Sequence, residues 1–402
     1  MMKDKEVTRR SFLKEGTVGA IGAGLAVSSV MGPGCVWGSA ATNQKAEEAG
    51  VDKTVEDASK KPGVTYRVLG RTGMKVSTVG IGAMEVTDVA VLHKALDLGI
   101  NYIDTARGYQ GGNNEKLVGK VLKARRDETY VATKIPPGDT LEYFVKQMET
   151  SLKSLQTDYV DVLFLHNLRE RGHVMNDLAM EAFARFKKEG KTRFVGVSTH
   201  SNEVEVVNAA VESAFWDVAL VKFNFKSTDL IKEALEKANA ASLGIVAMKT
   251  QAGGYRHPDM GNLNPHPAAL KWVLQHPYVH TTIPGMLTLQ QVTENTKAMG
   301  SGMSWHDRKT LDRYARAIDK IYCRMCGACE GSCPKQVAIS DVMRCMMYAE
   351  GYGNLALGQG EYRSLPTSAR ASQCLSCTGC VAKCVNGLKI GQRMAQAHSL
   401  LG

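Results

Sequence analysis

Between residues 76 and 286 the chain repeats one pattern eight times: a short, nearly continuous apolar run followed by an amphipathic stretch. The runs are VSTVGIGA (76–83), NYIDTA (101–106), TYVATKI (129–135), DYVDVLFLH (158–166), FVGVSTH (194–200), VALVKFN (218–224), GIVAMKT (244–250) and HTTIPGM (280–286). Rich in Val and Ile and lacking polar alternation, each predicts a parallel strand buried on both faces. The stretches between them carry a helical period; within 141–155, Phe144, Met148, Leu152 and Leu155 fall on one face. Eight strand–helix units predict an α/β fold of the (β/α)8 TIM-barrel type, here over residues 64–303. No GxGxxG loop follows a strand, which disfavours a Rossmann domain. Ahead of the first run, TYRVLGRTGMKVS sets Gly73 between alternating residues and predicts a hairpin capping one barrel end.

The composition suits a soluble protein with a sizeable core, at 44% hydrophobic and 22% charged residues. The net charge is +10, but Lys and Arg are scattered among acids, so nucleic acid is not an expected partner. The N-terminus is not expected to be part of the fold. A basic head (TRRSFLK, 8–14), a mild apolar run (TVGAIGAGLAVSSVM) and small residues at GSAAT make an export signal; the alternative is a chance Arg pair ahead of an anchor helix. Arg9, Arg10, Phe12, Leu13 and Lys14 resemble the twin-arginine (Tat) signal at every motif position. That resemblance implies the Tat translocase as a transient partner and a periplasmic or cell-envelope location. The signal is expected to span 1–41, with cleavage near Ala40 or Ala41, and only an uncleaved signal would touch the membrane. Cys35 follows Gly34 as in a lipoprotein site, but Gly32 stands where an aliphatic residue is expected. Residues 42–63 are polar and charged and read as a solvated linker.

In such barrels the reactive side chains sit at the C-terminal ends of the strands. Asp104 ends the second run, Tyr109 lies in the loop after it, Lys134 lies in the third, and His166 closes the fourth. One such residue at a barrel rim is usually a satisfied polar group; four on consecutive units form a constellation. Together with DTARGYQGGNNEKLVGKVL, ATKI, LFLHN, GVSTH, GIVAMKTQAGG and TIPG…TEN, in that order, residues 64–300 resemble the aldo/keto reductase family. The resemblance implies carbonyl–alcohol interconversion on a small substrate with a nicotinamide cofactor. It makes Tyr109 the general acid/base, Lys134 its pKa modulator, Asp104 the lysine's partner and His166 the carbonyl orienter. The chemistry agrees, since a phenol near pKa 10 is a poor acid at neutral pH unless a cation favours the phenolate.

The same resemblance places Ser198 and Thr199 at the carboxamide, Lys249 at the pyrophosphate side and Gly285 to Asn295 at the adenosine end, with Asn224 among the cofactor contacts. Three positions depart from the family pattern. Leu220 stands where a Gln often lies under the nicotinamide, and Met248 where an aromatic ring often stacks. Gly285 and Gln291 stand where a Lys and an Arg often hold a 2′-phosphate. An arginine fork is the natural reader of that phosphate, so NADH preference or weak discrimination is expected over NADPH preference.

The last hundred residues carry a second kind of chemistry. SWHDRKTLDRYARAIDKIY sets Leu311, Tyr314, Ile318 and Ile321 on one face, with Ser304 as N-cap. Two runs then share the spacing C-x2-C-x2-C-x3-C: Cys323, Cys326, Cys329 and Cys333, then Cys374, Cys377, Cys380 and Cys384. Such tight repeats suit disulfides poorly, and zinc would leave the third cysteine of each run surplus. Three thiolates within seven residues wrap one corner of an iron–sulfur cube. In two-cluster ferredoxins the fourth cysteine of each run serves the other cluster. The expected [4Fe–4S] ligand sets are therefore Cys323, Cys326, Cys329 and Cys384, and Cys374, Cys377, Cys380 and Cys333. Pro334 follows the first run as in bacterial ferredoxins, Val385 replaces it after the second, and the helical spacer resembles dicluster ferredoxin domains appended to oxidoreductases. Residues 304–402 thus read as a connecting helix and a mostly helical dicluster ferredoxin-like domain, with Cys345 as a buried core thiol. Clusters are assembled in the cytoplasm, so an exported carrier must cross folded, which the Tat route allows. Two functions fit: a reductase accompanied by electron transfer to a redox partner protein, or an iron–sulfur electron-transfer subunit whose barrel is a scaffold.

Overall fold

The computed structural model describes Lys61 and residues 63–402; the export signal, Cys35 and the linker up to residue 60 lie outside the described residues. Strands β1 (Tyr66–Val68) and β2 (Lys75–Ser77) pair antiparallel, with Gly73 at φ 71°, as the expected hairpin. Its turn closes the N-terminal end of the barrel, where a Cβ on Gly70 would stand 2.3 Å from the Gly244 nitrogen.

Eight parallel strands follow: β3 (Ile81–Gly82), β4 (Tyr102–Asp104), β5 (Tyr130–Ile135), β6 (Val160–Leu165), β7 (Thr192–Thr199), β8 (Val218–Lys222), β9 (Gly244–Met248) and β10 (Thr281–Thr282). Parallel bridges Val79↔Thr282 and Gly82↔Gly285 close β3 onto β10. The run at 76–83 is therefore divided, its first residues serving the hairpin and only Ile81–Gly82 the barrel. The division falls where Gly80 lets the chain pass the Tyr102 carbonyl, which a Cβ would approach to 2.9 Å. Tyr102, Tyr130, Phe164, Leu220, Val246 and Ile283 fill the barrel interior, while a larger apolar layer joins strands to helices. Helix Leu141–Leu155 buries Phe144, Met148 and Leu155, with Leu152 half-buried beside them.

Helix Trp305–Ile318 starts at Ser304, whose hydroxyl accepts from the Asp307 amide at 3.0 Å while Asp307 accepts from the Ser304 amide at 2.8 Å. Leu311, Tyr314 and Ile318 are buried; Ile321 lies past the helix end and is half-buried. The cysteine region has its own core, built from helices Ile339–Met346, Leu355–Ser364 and Ile390–Leu401 around Met343, Cys345, Tyr362 and Met394. A separate apolar cluster seats this region on the mouth of the barrel: Ala252 and Tyr255 meet Tyr314, Tyr322, Met325, Met347 and Tyr348. Polar ties cross the same boundary, Asn354 Nδ2 to Glu85 Oε1 at 2.9 Å and an Arg169–Asp341 ion pair. Among the described residues no helix is long and apolar enough to cross a membrane.

The seam is tightest at a glycine pair. A Cβ on Gly351 would stand 2.2 Å from the Gly253 carbonyl oxygen. Gly351→Ala is expected to cost about 1–3 kcal/mol by forcing the cysteine region off the barrel. Scanning calorimetry should show a lowered midpoint, while Gly360→Ala, with open space at its Cβ, leaves it unchanged or raised.

Candidate active site at the barrel mouth

The ends of three strands, β4, β5 and β6, and the turn after β4 bring the expected tetrad together. Asp104 ends β4 and Lys134 lies in β5, one residue before its end; both are buried, and the ammonium contacts Asp104 Oδ1 and donates to the Thr105 carbonyl at 2.6 Å. Burial pushes the Asp104 carboxyl up and the Lys134 ammonium down, and their mutual contact opposes both shifts. Tyr109 sits on a short turn held by Gln110, which adopts φ 51° and donates to the Met84 and Val86 carbonyls at 3.0 Å each. Lys134 Nζ lies 4.9 Å from the Tyr109 ring centre, and the His166 ring packs edge-on to it at 6.0 Å.

The electrostatics refine the expected role of the lysine. Burial, then Asp104 and Glu361, hold the Tyr109 phenol well above its ordinary range, and Arg344 opposes them. Lys134 contacts Asp104 and donates to the Thr105 carbonyl, so its charge is balanced by the carboxylate beside the ring. His166 is driven well below its ordinary value by burial and by Lys134, Arg344 and Lys249, which leaves a neutral imidazole.

One cavity of about 540 Å³ links Asp104 and Tyr109 to Lys249, Gly285 and Asn295. Three of the expected cofactor residues thus share it with half of the tetrad. Ser198, Thr199 and Asn224 lie buried beside it rather than on its wall. Ser198 Oγ accepts from the Asn167 amide at 3.0 Å, and Asn224 Nδ2 donates to the Lys249 carbonyl and to Tyr322 Oη, both at 2.9 Å. Leu220 is buried in the barrel interior, and Met248 lines the cavity. Lys249 has φ 52°, its Nζ lies 2.7 Å from His200 Nδ1, and burial with Arg344 and Lys222 holds it well below the usual lysine range. Sequence reasoning missed several residues here. Arg256 lines the same cavity as Gly285 and Asn295, Glu203 pairs with buried Lys222 at 2.8 Å, and Tyr348, Glu350 and Tyr352 reach the cavity from the cysteine region. None lies on a strand end of the tetrad, the signal that exposed the others.

Two other histidines report on stability. Burial pushes His276 and His280 down to about 4, and His280 Nδ1 accepts the Ile245 amide at 2.9 Å. The unfolded chain takes up these protons near pH 6.5 and the folded one near 4, so stability falls as pH drops through that window. Urea midpoints are expected to fall between pH 7 and pH 5, and by less in His280→Asn.

Nine described cysteines are free thiols. Cys323, Cys326, Cys329 and Cys384 line one small cavity, with Asn386 between the runs donating its amide to Cys384 Sγ at 3.3 Å. Burial, with Cys329, Cys326 and Cys384 adding, pushes the Cys323 thiol up to about 12. Cys374 is likewise raised by burial and by Cys377, Cys333 and Cys380. The small cavity thus draws Cys384 from the second run, and Cys333 of the first run is among the thiols that act on Cys374. Among the described residues no three His, Cys, Asp or Glu side chains converge as ligands of a single metal ion. Cys345 is fully buried in the core of its region.

Residues 77–266 match the model of the Aldo/keto reductase family. L-galactose dehydrogenase from Arabidopsis thaliana is 29% identical over 309 residues, covering 64% of this chain and 95% of that protein. Among solved structures, the holo form of aldo-keto reductase AKR11C1 from Bacillus halodurans matches with a TM-score of 0.55 and 25% identity, over 63% of this chain and 97% of its own. An aldo/keto reductase from Klebsiella pneumoniae in complex with NADP and acetate matches with a TM-score of 0.53 and 26% identity, over 62% and 95%. The chain carries an aldo/keto reductase family domain on a (β/α)8 barrel and is an oxidoreductase of that type.

Proposed function

We propose that the protein is an exported oxidoreductase that interconverts a small carbonyl compound and its alcohol with a nicotinamide cofactor. The observation that carries the reading is the single cavity running from Asp104 and Tyr109 past Lys249 to Gly285 and Asn295. When bound, the nicotinamide supplies or accepts hydride at the substrate carbon. Neutral His166 hydrogen-bonds the carbonyl oxygen, and Tyr109 holds the proton that this oxygen takes. The oxygen left by hydride addition is alkoxide-like and strongly basic, so the upward shift of the phenol does not prevent this role. The Klebsiella pneumoniae aldo/keto reductase structures in complex with NADP and with NADPH hold the 2′-phosphorylated nucleotide in its two redox states, which supports NADP(H) as the cofactor here. Arg256 is a cation that could meet a 2′-phosphate where Gly285 and Gln291 cannot. Titrating the purified protein with NADH and NADPH tests the cofactor reading; binding of neither overturns it.

The two sets of thiols fit two [4Fe–4S] clusters, held by Cys323, Cys326, Cys329 and Cys384 and by Cys374, Cys377, Cys380 and Cys333. Thiolate is the donor such clusters take, and each set gathers four. Bound there, they would supply one-electron transfer. Exposure of Cys377, Cys380, Leu375 and Val381 around the second set suits docking of a redox partner protein. Export rests on the Arg9–Arg10 motif and on this folded cargo. The second reading, an electron-transfer subunit with a scaffold barrel, draws on Ser198, Thr199 and Asn224 lying off the cavity wall. Iron and sulfide assays on anaerobically purified protein, beside turnover of an aldehyde panel, separate the two.

A further inference from the structure

The cysteine region does more than cover the barrel. Its helix Ile339–Met346 runs into a π-helical turn, Met347–Gly351, which sets Tyr348 and Glu350 on the wall of the active-site cavity, with Tyr352 just beyond. Single π turns occur preferentially at functional positions. Tyr348 is buried, and its ring lies 5.3 Å from that of Tyr352. Behind it sits Arg344, one helical turn earlier and also buried, with Nη1 3.5 Å from Tyr348 Oη.

A guanidinium has only donors, so at that contact the phenol oxygen accepts and its own hydrogen must point elsewhere. Among the described residues no side chain or carbonyl takes that hydrogen, and Tyr348 lines the cavity. Tyr109 and Tyr348 line the same cavity of about 540 Å³, so one substrate molecule in it can meet both phenols. Arg344 is itself offset by Asp341 at 3.2 Å and Glu361 at 3.3 Å. The wall therefore offers a neutral hydrogen-bond donor rather than a net positive charge, which suits a hydroxyl better than a carboxylate.

We infer that Tyr348, held by Arg344, donates a hydrogen bond to a second oxygen of the substrate, and that the site takes α-hydroxy aldehydes or α-hydroxy ketones. The inference rests on the carbonyl-reduction reading above. Tyr348 is then a specificity-determining residue, and the cysteine region supplies part of the substrate site.

The test compares glyceraldehyde with propanal, which share a three-carbon chain and differ in the hydroxyls. Each is reduced to its alcohol by hydride from the reduced nicotinamide and one proton. The full-length protein, purified anaerobically, is assayed as wild type and as Tyr348→Phe, which keeps the ring and removes only the oxygen. Wild type is expected to favour glyceraldehyde. Tyr348→Phe should lower that preference about tenfold, through a higher KM for glyceraldehyde with kcat and the propanal constants unchanged. A preference unchanged by the substitution, or an equal loss on both aldehydes, overturns the inference while leaving the reductase reading intact. Absence of turnover on either aldehyde by the wild type overturns both.

Discussion

Tyr109→Phe is expected to lower kcat for aldehyde reduction by about 100- to 10,000-fold, the range lost when a positioned proton donor is removed. In the proposed reaction the phenol is the acid; it lines the cavity, with Lys134 4.9 Å from its ring centre and His166 edge-on to it. His166 is an ineffective substitute, because burial and three cations keep it neutral. Nucleotide affinity should stay within about twofold of wild type, since the expected cofactor contacts at Lys249, Gly285 and Asn295 lie further along the cavity. The pH dependence carries a second signature. Tyr109 is held well above its ordinary range, so it keeps its proton through neutral and mildly alkaline pH and kcat for reduction should be flat there. A strong fall in kcat between pH 7 and 9 would show the phenol drawn down, with Lys134 acting on it after all. Retention of more than about a tenth of wild-type kcat by Tyr109→Phe would remove Tyr109 from the chemistry.

The barrel was legible because its strands obey a local rule. Burial on both faces demands continuous Val and Ile, and this survives in the primary sequence even for β6 and β9. Where the rule is ambiguous the reading slipped: the run at 76–83 serves a hairpin and a barrel strand in turn, and apolar continuity does not mark the change. The tetrad was legible for a related reason, since strand ends in a barrel point to one face. Arg344 and Tyr348 were not. They sit on a helix and the π turn that continues it, whose apolar pattern reports only that the segment is buried, against a barrel mouth far away in sequence. The upward shift of Tyr109 was not legible, because proximity is readable from a motif, whereas the competition of burial, Asp104 and Glu361 is a property of the packed site. Ser198 and Thr199 show the same limit: the motif places them at the right strand end, and the fold decides whether they reach the cavity.

The crossing of the two cysteine runs allows a test that single substitutions cannot give. Any one lost ligand damages one cluster, so iron should fall from about eight to about four per chain whichever pairing holds. Pairs of substitutions separate the possibilities. If Cys384 joins Cys323, Cys326 and Cys329, as the shared cavity suggests, then Cys323→Ala with Cys384→Ala removes two ligands from the same cluster. That double variant should keep about four irons and one clean [4Fe–4S] spectrum after reduction. Cys323→Ala with Cys333→Ala removes one ligand from each cluster and should leave little intact iron, although both cysteines lie in the same run. Were each run to serve its own cluster, the two results would exchange places. Unchanged iron in both, or zinc in its place, would dismiss the clusters altogether. The comparison also reads on architecture. Each run closes the other's set, so losing both sets should loosen the core around Met343 and Met394. The Cys323/Cys333 variant is then the one expected to become sensitive to protease at the barrel seam.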